Sequence, residues 1–258
     1  MELKKRKKLI IGILIAVVVL IVAVPLIVLG VSKAFTAQES VVRTDWEFET
    51  GDTIGENAQE GVTYAEAELG DGLRAVQLIP DGIDEEGFTY YDTGVQERLA
   101  GALDSLKASM TWTATTPLAV LNPFGTASNE LYLYFQTDVA TKVSYTIHVE
   151  DEDIPDYTAY AADVSGQEYS RIHEFQIIGL VPGETNQVTM TISGSWGNAR
   201  QIVSFTVEMP ETRSGYATKL EVTDGSSDAA QAGGLFAMMR VNGYLGYGFF
   251  YDNDGILR

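Results

Sequence analysis

From Thr111 onward the apolar residues recur at every second position, and that period restricts the fold more than any other feature of the chain. In "TKVSYTIHVED", Val143, Tyr145, Ile147 and Val149 point one way, and Ser144, Thr146 and His148 point the other. In "ELYLYFQTD", Leu131, Leu133 and Phe135 share a face; in "NQVTMTIS", Val188, Met190 and Ile192 alternate with Thr189 and Thr191. "HEFQII" and "IVSFTVEM" repeat the pattern, with the turn "GSWGN" before the second and Pro210 ending it. Short alternating strands separated by turn residues predict an antiparallel β-sandwich of immunoglobulin or fibronectin type over residues 111–210. "GLVPGETNQVTMTI" fits the corner before the penultimate strand of such a sandwich.

Upstream the pattern changes twice. Val95, Leu99, Ala102, Leu103, Leu106 and Met110 form one helical stripe, predicting a helix near 93–109 with Thr93 as its N-cap. Residues 32–110 otherwise mix acidic, glycine-rich patches with short apolar runs such as "LRAVQLI", and predict a stalk or a loosely built region with a few strands. At the start, the basic tail 1–8 (Lys4-Lys5-Arg6-Lys7-Lys8) precedes Leu9 to Val31, which carries no charged residue. As a helix, 9–31 would extend roughly 34 Å, against a hydrocarbon core of about 30 Å. This predicts a single-pass signal-anchor that binds membrane lipid, with the N-terminus cytoplasmic and the main domain outside the cytoplasm. A small-x-small site at Ser32-Lys33-Ala34 leaves cleavage as the alternative.

Residues 211–232 are polar and small, a linker by composition, and 233–258 hold two strands, the turn Asp252-Asn253-Asp254-Gly255 and a short return. Ile256, Leu257 and Arg258 are expected to be a stub too short to bury its faces, as in a partial reading frame.

Composition excludes several functions. The chain has no cysteine, so disulfides, thiolate metal sites and thiol nucleophiles are absent. A formal charge of −19 repels phosphate backbones and argues against nucleic-acid binding.

The two histidines carry no clear chemistry. His148 lies on the hydroxyl-bearing face of its strand as a solvated residue. His173 shares a face with Phe175 and Ile177, as a hydrogen-bonded histidine at a core edge. "SGSWG" at 193–197 has Ser193 where a nucleophile elbow needs glycine, and falls in a hairpin. Glu150-Asp151-Glu152-Asp153 reads as a solvated loop, because consecutive strand-end carboxylates cannot converge on one calcium ion. "DNDG" at 252–255 lacks the spacing of a calcium loop, and Tyr244, Tyr247, Phe249, Phe250 and Tyr251 read as strand core. No catalytic, cofactor-binding or metal-ligating residue is assigned.

Three segments, "PLAVLNPFGTASNELYLYFQTD", "KVSYTIHVEDEDIPDY" and "HEFQIIGLVPGETNQVTMTI", occur in one order over about residues 117 to 208. There the chain resembles the N-terminal region of bacterial aryl-sulfate sulfotransferases, a small sandwich ahead of a large β-propeller. "GLFAMMRVNGYLGYGFFYDNDGILR" is similar to the opening of that propeller, here incomplete. The resemblance implies sulfuryl transfer from a phenolic sulfate ester to a phenol, through a propeller histidine that acts as covalent carrier. None of those catalytic positions falls in this chain. It also implies that the sandwich is a positioning or homodimer-contact module, and that phenolic substrates belong to the complete protein only. A cell-surface sandwich acting as a binding module is the alternative.

Overall fold

The structure, a computed structural model, describes residues 37–44, 57–84, 87–127, 130–212, 216–221, 235–242 and 245–258. The basic tail, the apolar segment 9–31 and most of the linker at 211–232 lie outside them. Among the described residues no helix is long and apolar enough to cross a membrane. The described residues are mainly β, with one α-helix.

The alternating segments form β5 (Leu131–His148), β7 (Ser170–Ile177), β8 (Thr185–Ser193) and β9 (Ala199–Glu208), and the same region adds the short strands β4 (Leu118–Leu121) and β6 (Tyr157–Tyr160). β5 organises them. Its 18 residues would span roughly 60 Å if straight, far beyond an ordinary strand. Instead its register breaks between Gln136 and Thr141. The first half pairs with β4 and β7, and the second half with β8 and β6. The two halves fold over each other. Tyr145, from the second half, stacks on Phe175 of β7 with ring centroids 6.4 Å apart, and its hydroxyl accepts from Ile178 N at 3.0 Å. Val143, Tyr145, Ile147, Phe175, Ile177, Val188, Met190 and Ile192 lie in the core between the leaves, as the alternation predicts.

The region before residue 111 is more structured than its composition suggests. β1 (Gln38–Val41) runs parallel to β9, and β2 (Val62–Ala67) pairs with β3 (Ala75–Pro80), which pairs parallel with β4. These are the few strands expected there; they join the sandwich sheets instead of forming a stalk, and they make the sandwich mixed rather than purely antiparallel. The reason for the β3–β4 pairing is the helix α1 (Thr93–Ser109), because parallel neighbours need a long crossover. A second closure comes from the β2–β3 connection, whose Leu69 carbonyl accepts from Glu208 N at 2.9 Å. A side chain at Gly72 would run into the Thr206 hydroxyl on β9, so only glycine allows that approach.

Helix α1 packs its predicted stripe, Val95, Leu99, Ala102, Leu103 and Leu106, against the first leaf. Met110 departs from it, because the chain is already extended there. The N-cap is Asp92 rather than Thr93, since its carboxylate accepts from Gly94 N at 2.8 Å and Val95 N at 3.3 Å. The helix explains why Leu131 to Phe135 are all buried: alternate residues face the sandwich core, while Tyr132 and Tyr134 face the opposite side. Lys107 of α1 lies over the Tyr134 ring and pairs with Glu174 at 3.2 Å. In the second half of β5 the outer face has no such cover, and burial alternates again.

Burial sets the largest mutational cost. Leu99 is fully buried between α1 and the sheet. Leu99→Ala is expected to lower unfolding free energy by about 2–5 kcal/mol, read as a drop in urea midpoint at unchanged slope.

Candidate functional site

The densest polar cluster sits where β5 changes leaves. His173 enters it from β7, and Thr137 and Thr141 from the register break. The His173 Nε2 lies 2.8 Å from the Thr141 hydroxyl and 3.4 Å from that of Thr137, while Nδ1 lies 3.5 Å from Asp163 Oδ2. Phe135 packs on the imidazole at 4.9 Å between centroids. Burial lowers the proton affinity of His173, and the Asp163 charge opposes the shift without reversing it. The ring is therefore neutral near pH 7. A carboxylate can only accept, so the proton belongs on Nδ1 facing Asp163, leaving Nε2 to accept from Thr141.

Carboxylate, imidazole and hydroxyl in line have the order of a nucleophilic relay. The chemistry needs access, however, and Thr141 and His173 are each only 2% exposed. Thr141 is also held in the ladder opposite Ser170. The adjoining cavity, about 230 Å³, is lined by Lys142, Tyr160, Asp163 and Glu168 among others, and is smaller than ordinary ligand pockets. Lys142 is neutralised by Glu168 at 3.1 Å. The cluster's hydrogen bonds pin the corner of β5 against β7.

The second constellation is at the other end of the sandwich. β10 (Phe236–Asn242) and β11 (Leu245–Tyr251) form a separate two-stranded sheet. The turn after it is as the sequence predicts, with Gly255 at φ 75°. The Asp252 carboxylate holds that turn: Oδ1 accepts from Asp254 N at 2.9 Å and Ile256 N at 3.0 Å.

The three residues after the turn do not behave as an unburied stub. Ile256 packs with Val149, Ile154 and Val181 of the sandwich, and Leu257 packs under Phe249 and Tyr251. The Arg258 side chain is 1% exposed. Its Nε donates to Asp252 Oδ2 at 2.7 Å, Nη2 to Pro155 O at 2.7 Å and Nη1 to Gly179 O at 3.5 Å, beside the Tyr157 ring. The expectation fails because the partner is not another strand of the same hairpin. Two sandwich loops supply the carbonyls and the apolar floor.

The remaining candidates take these places. His148 is surface-exposed and pairs with Asp156 at 2.7 Å. "SGSWG" is a hairpin turn closed by Gly194 N to Asn198 O at 3.0 Å. In the acidic loop, Asp151 accepts from Asp153 N at 2.9 Å and Asp153 pairs with Lys219 at 3.1 Å. Asn186 is fully buried and clamps the corner before β8 through Val181 N at 2.7 Å. Of the aromatic group, Phe249 and Tyr251 are buried, Phe250 is half exposed, and Tyr244 and the Tyr247 side chain lie outside the description. Thr141, Asp163 and Arg258 give no local sequence signal, since each acts through partners far along the chain.

Residues 118–210 match the family model of the arylsulfotransferase Ig-like domain. That match falls on the stretch whose residues resemble the N-terminal region of the aryl-sulfate sulfotransferases. No curated protein and no solved structure matches the chain.

Two outcomes test the geometry. The unfolded histidine titrates near 6.5 and the folded one lower, so the unfolded state binds more protons as pH falls below 6.5. Stability from His173 is present above pH 6.5 and declines below it. Between pH 7.5 and 5 the urea midpoint of the wild type should fall relative to that of His173→Gln, a difference from which the other titrating groups cancel. Glu130 contributes the opposite slope, because burial raises its carboxyl to about 7. Glu130→Gln should therefore gain stability over wild type at pH 8 and match it at pH 4. At the other end, Arg258→Ala strands Asp252, a loss of about 3–5 kcal/mol in docking. Amide exchange at Asp252, Ile256 and Arg258 should accelerate, and Arg258→Lys should not restore protection, since one ammonium cannot span the three acceptors.

Proposed function

We propose that this chain is the leading, membrane-anchored portion of an aryl-sulfate sulfotransferase, whose sandwich positions a catalytic propeller. The family match at 118–210 carries the reading. It is supported by the docking of 236–258, the segment similar to the start of the propeller, onto sandwich loops through Arg258 and Ile256. Transfer of a sulfuryl group from a phenolic sulfate to a phenol needs a nucleophile and cationic groups to hold the departing charge. The described cations around the cavity and the dock are already committed: Lys142 to Glu168, Lys219 to Asp153 and Arg258 to Asp252. Both histidines serve elsewhere, one in the corner and one at the surface. The reaction would thus run on a propeller histidine outside these 258 residues, and this chain alone would be inactive.

Residues 9–31 would hold the protein in the cell membrane, with residues 1–8 in the cytoplasm and the sandwich outside it. The sandwich is also the natural place for a homodimer contact.

The test is direct. The chain, mixed with nitrophenyl sulfate and a second phenol, should release no nitrophenol above the uncatalysed rate, and steady turnover would overturn the assignment of catalysis to the propeller. DNA read past codon 258 should encode further blades with a histidine. Unrelated sequence there would favour the cell-surface binding module.

A further inference from the structure

Strand directions sort the two ends of the sandwich. At one end lie the first paired residue of β1, Gln38 opposite Gln201, and the β8–β9 hairpin tip, with Ser193 opposite Ala199. Lys142 is opposite Ser193, and Tyr160 is opposite Ser144, so the β5 corner and the end of β6 lie there too. At the other end lie His148, Thr185 and Glu208, together with the 149–156 loop and the dock of Arg258. The separation along β9 is roughly 33 Å.

The ends differ in chemistry. The hairpin tip carries Trp196, 90% exposed, and the same end carries Tyr160 at 70% and Val139 in the β5 corner at 40%. Lys142, Arg171 and Arg200 at this end stand against Glu39, Asp138, Asp163 and Glu168, a net of about one negative charge. The opposite end gathers Glu150, Asp151, Glu152, Asp153, Asp156, Glu184 and Glu208, with Asp252 and Asp254 from the tail. An isolated exposed aromatic is common on protein surfaces. This one has a reason to be there: the apolar segment ends at Val31, and β1 starts at Gln38 on the same end. Seven residues can reach at most about 25 Å.

We infer that the end of the sandwich bearing Trp196 lies against the outer headgroup layer of the membrane, with Trp196 seated in the interface. This rests on the membrane-anchor reading above. Indole suits that layer because its body is apolar and its N–H still finds water or a lipid carbonyl. The acidic end is then turned away from the bilayer, and the dock of residues 256–258 stands roughly one sandwich length, about 30 Å, from the surface. The occupant is lipid. The short tether and the near-balanced charge of this end favour it, whereas the acidic end would be repelled by anionic headgroups.

The full chain in phosphatidylcholine vesicles tests this, with lipids brominated near the headgroup end of the acyl chains as quenchers. Trp46 and Trp112 are common to wild type and Trp196→Phe, so the difference between them reports Trp196. The expected result is a larger quenched share of emission in the wild type. Since the chain has no cysteine, spin labels at Ser195→Cys and Glu150→Cys give a second readout. Position 195 should favour lipid-soluble oxygen as relaxant, and position 150 a water-soluble nickel complex. Chain that fails to float with alkali-washed vesicles sinks the anchor reading itself. Chain that floats while Trp196 is unquenched by bromolipid and position 195 relaxes like position 150 overturns the docking inference and leaves the anchor standing.

Discussion

A strand that leaves one sheet and enters another must turn its backbone without stranding amides in the core, and β5 does this between Gln136 and Thr141. An unpaired buried backbone group costs about as much as a lost hydrogen bond, and the corner avoids that cost: Gln136 and Asp138 to Ala140 are exposed, and the Thr137 hydroxyl donates to the Val139 carbonyl at 2.9 Å. Thr137 and Thr141 supply hydroxyls, His173 bridges them, and Asp163 fixes the ring's tautomer. Everything else assumes this corner. It brings Tyr145 onto Phe175 and closes the core between the leaves. It also places the β8–β9 tip, the end of β6 and the start of β1 at one end of the molecule.

The opposite end is held by a different kind of contact. Arg258 exchanges water for one carboxylate and two backbone carbonyls, all within hydrogen-bonding distance. A buried ion pair often adds little net stability, because desolvation consumes the Coulombic gain. Its value here is geometric: a planar guanidinium with donors in fixed directions accepts one orientation of the hairpin relative to the Pro155 and Gly179 loops. Ile256 adds a small apolar contact to the same loops. The tail thus docks at one end of the sandwich, and β1 begins at the other.

The legible part of this protein is periodic. The two-residue alternation sets β5, β7, β8 and β9 and which of their residues face the core. The 3.6-residue stripe places α1, and four residues of turn chemistry place the Asp252–Gly255 hairpin turn. Illegible is whatever depends on a partner distant in sequence. β2 and β3 have apolar runs too short to stand out, and β1 is mostly polar because an edge strand needs backbone pairing more than a buried face. His173 is legible as a core-edge histidine from its strand face alone. Its partners Thr141 and Asp163 lie 32 and 10 residues away in a different strand and a loop. Arg258 has the local look of the end of a stub, although its acceptors lie 103 and 79 residues upstream.

The sequence by itself determined the β class, the facing of β5 and β7 to β9, the amphipathic helix α1 and the absence of thiol chemistry, since each depends on neighbours within a few residues or on composition alone. Only the tertiary structure decided that β5 belongs to two leaves, that α1 is a crossover between parallel strands, and that residues 256–258 are buried. Those outcomes depend on long-range pairings, and a local pattern states what a segment can bury without stating what it is buried against.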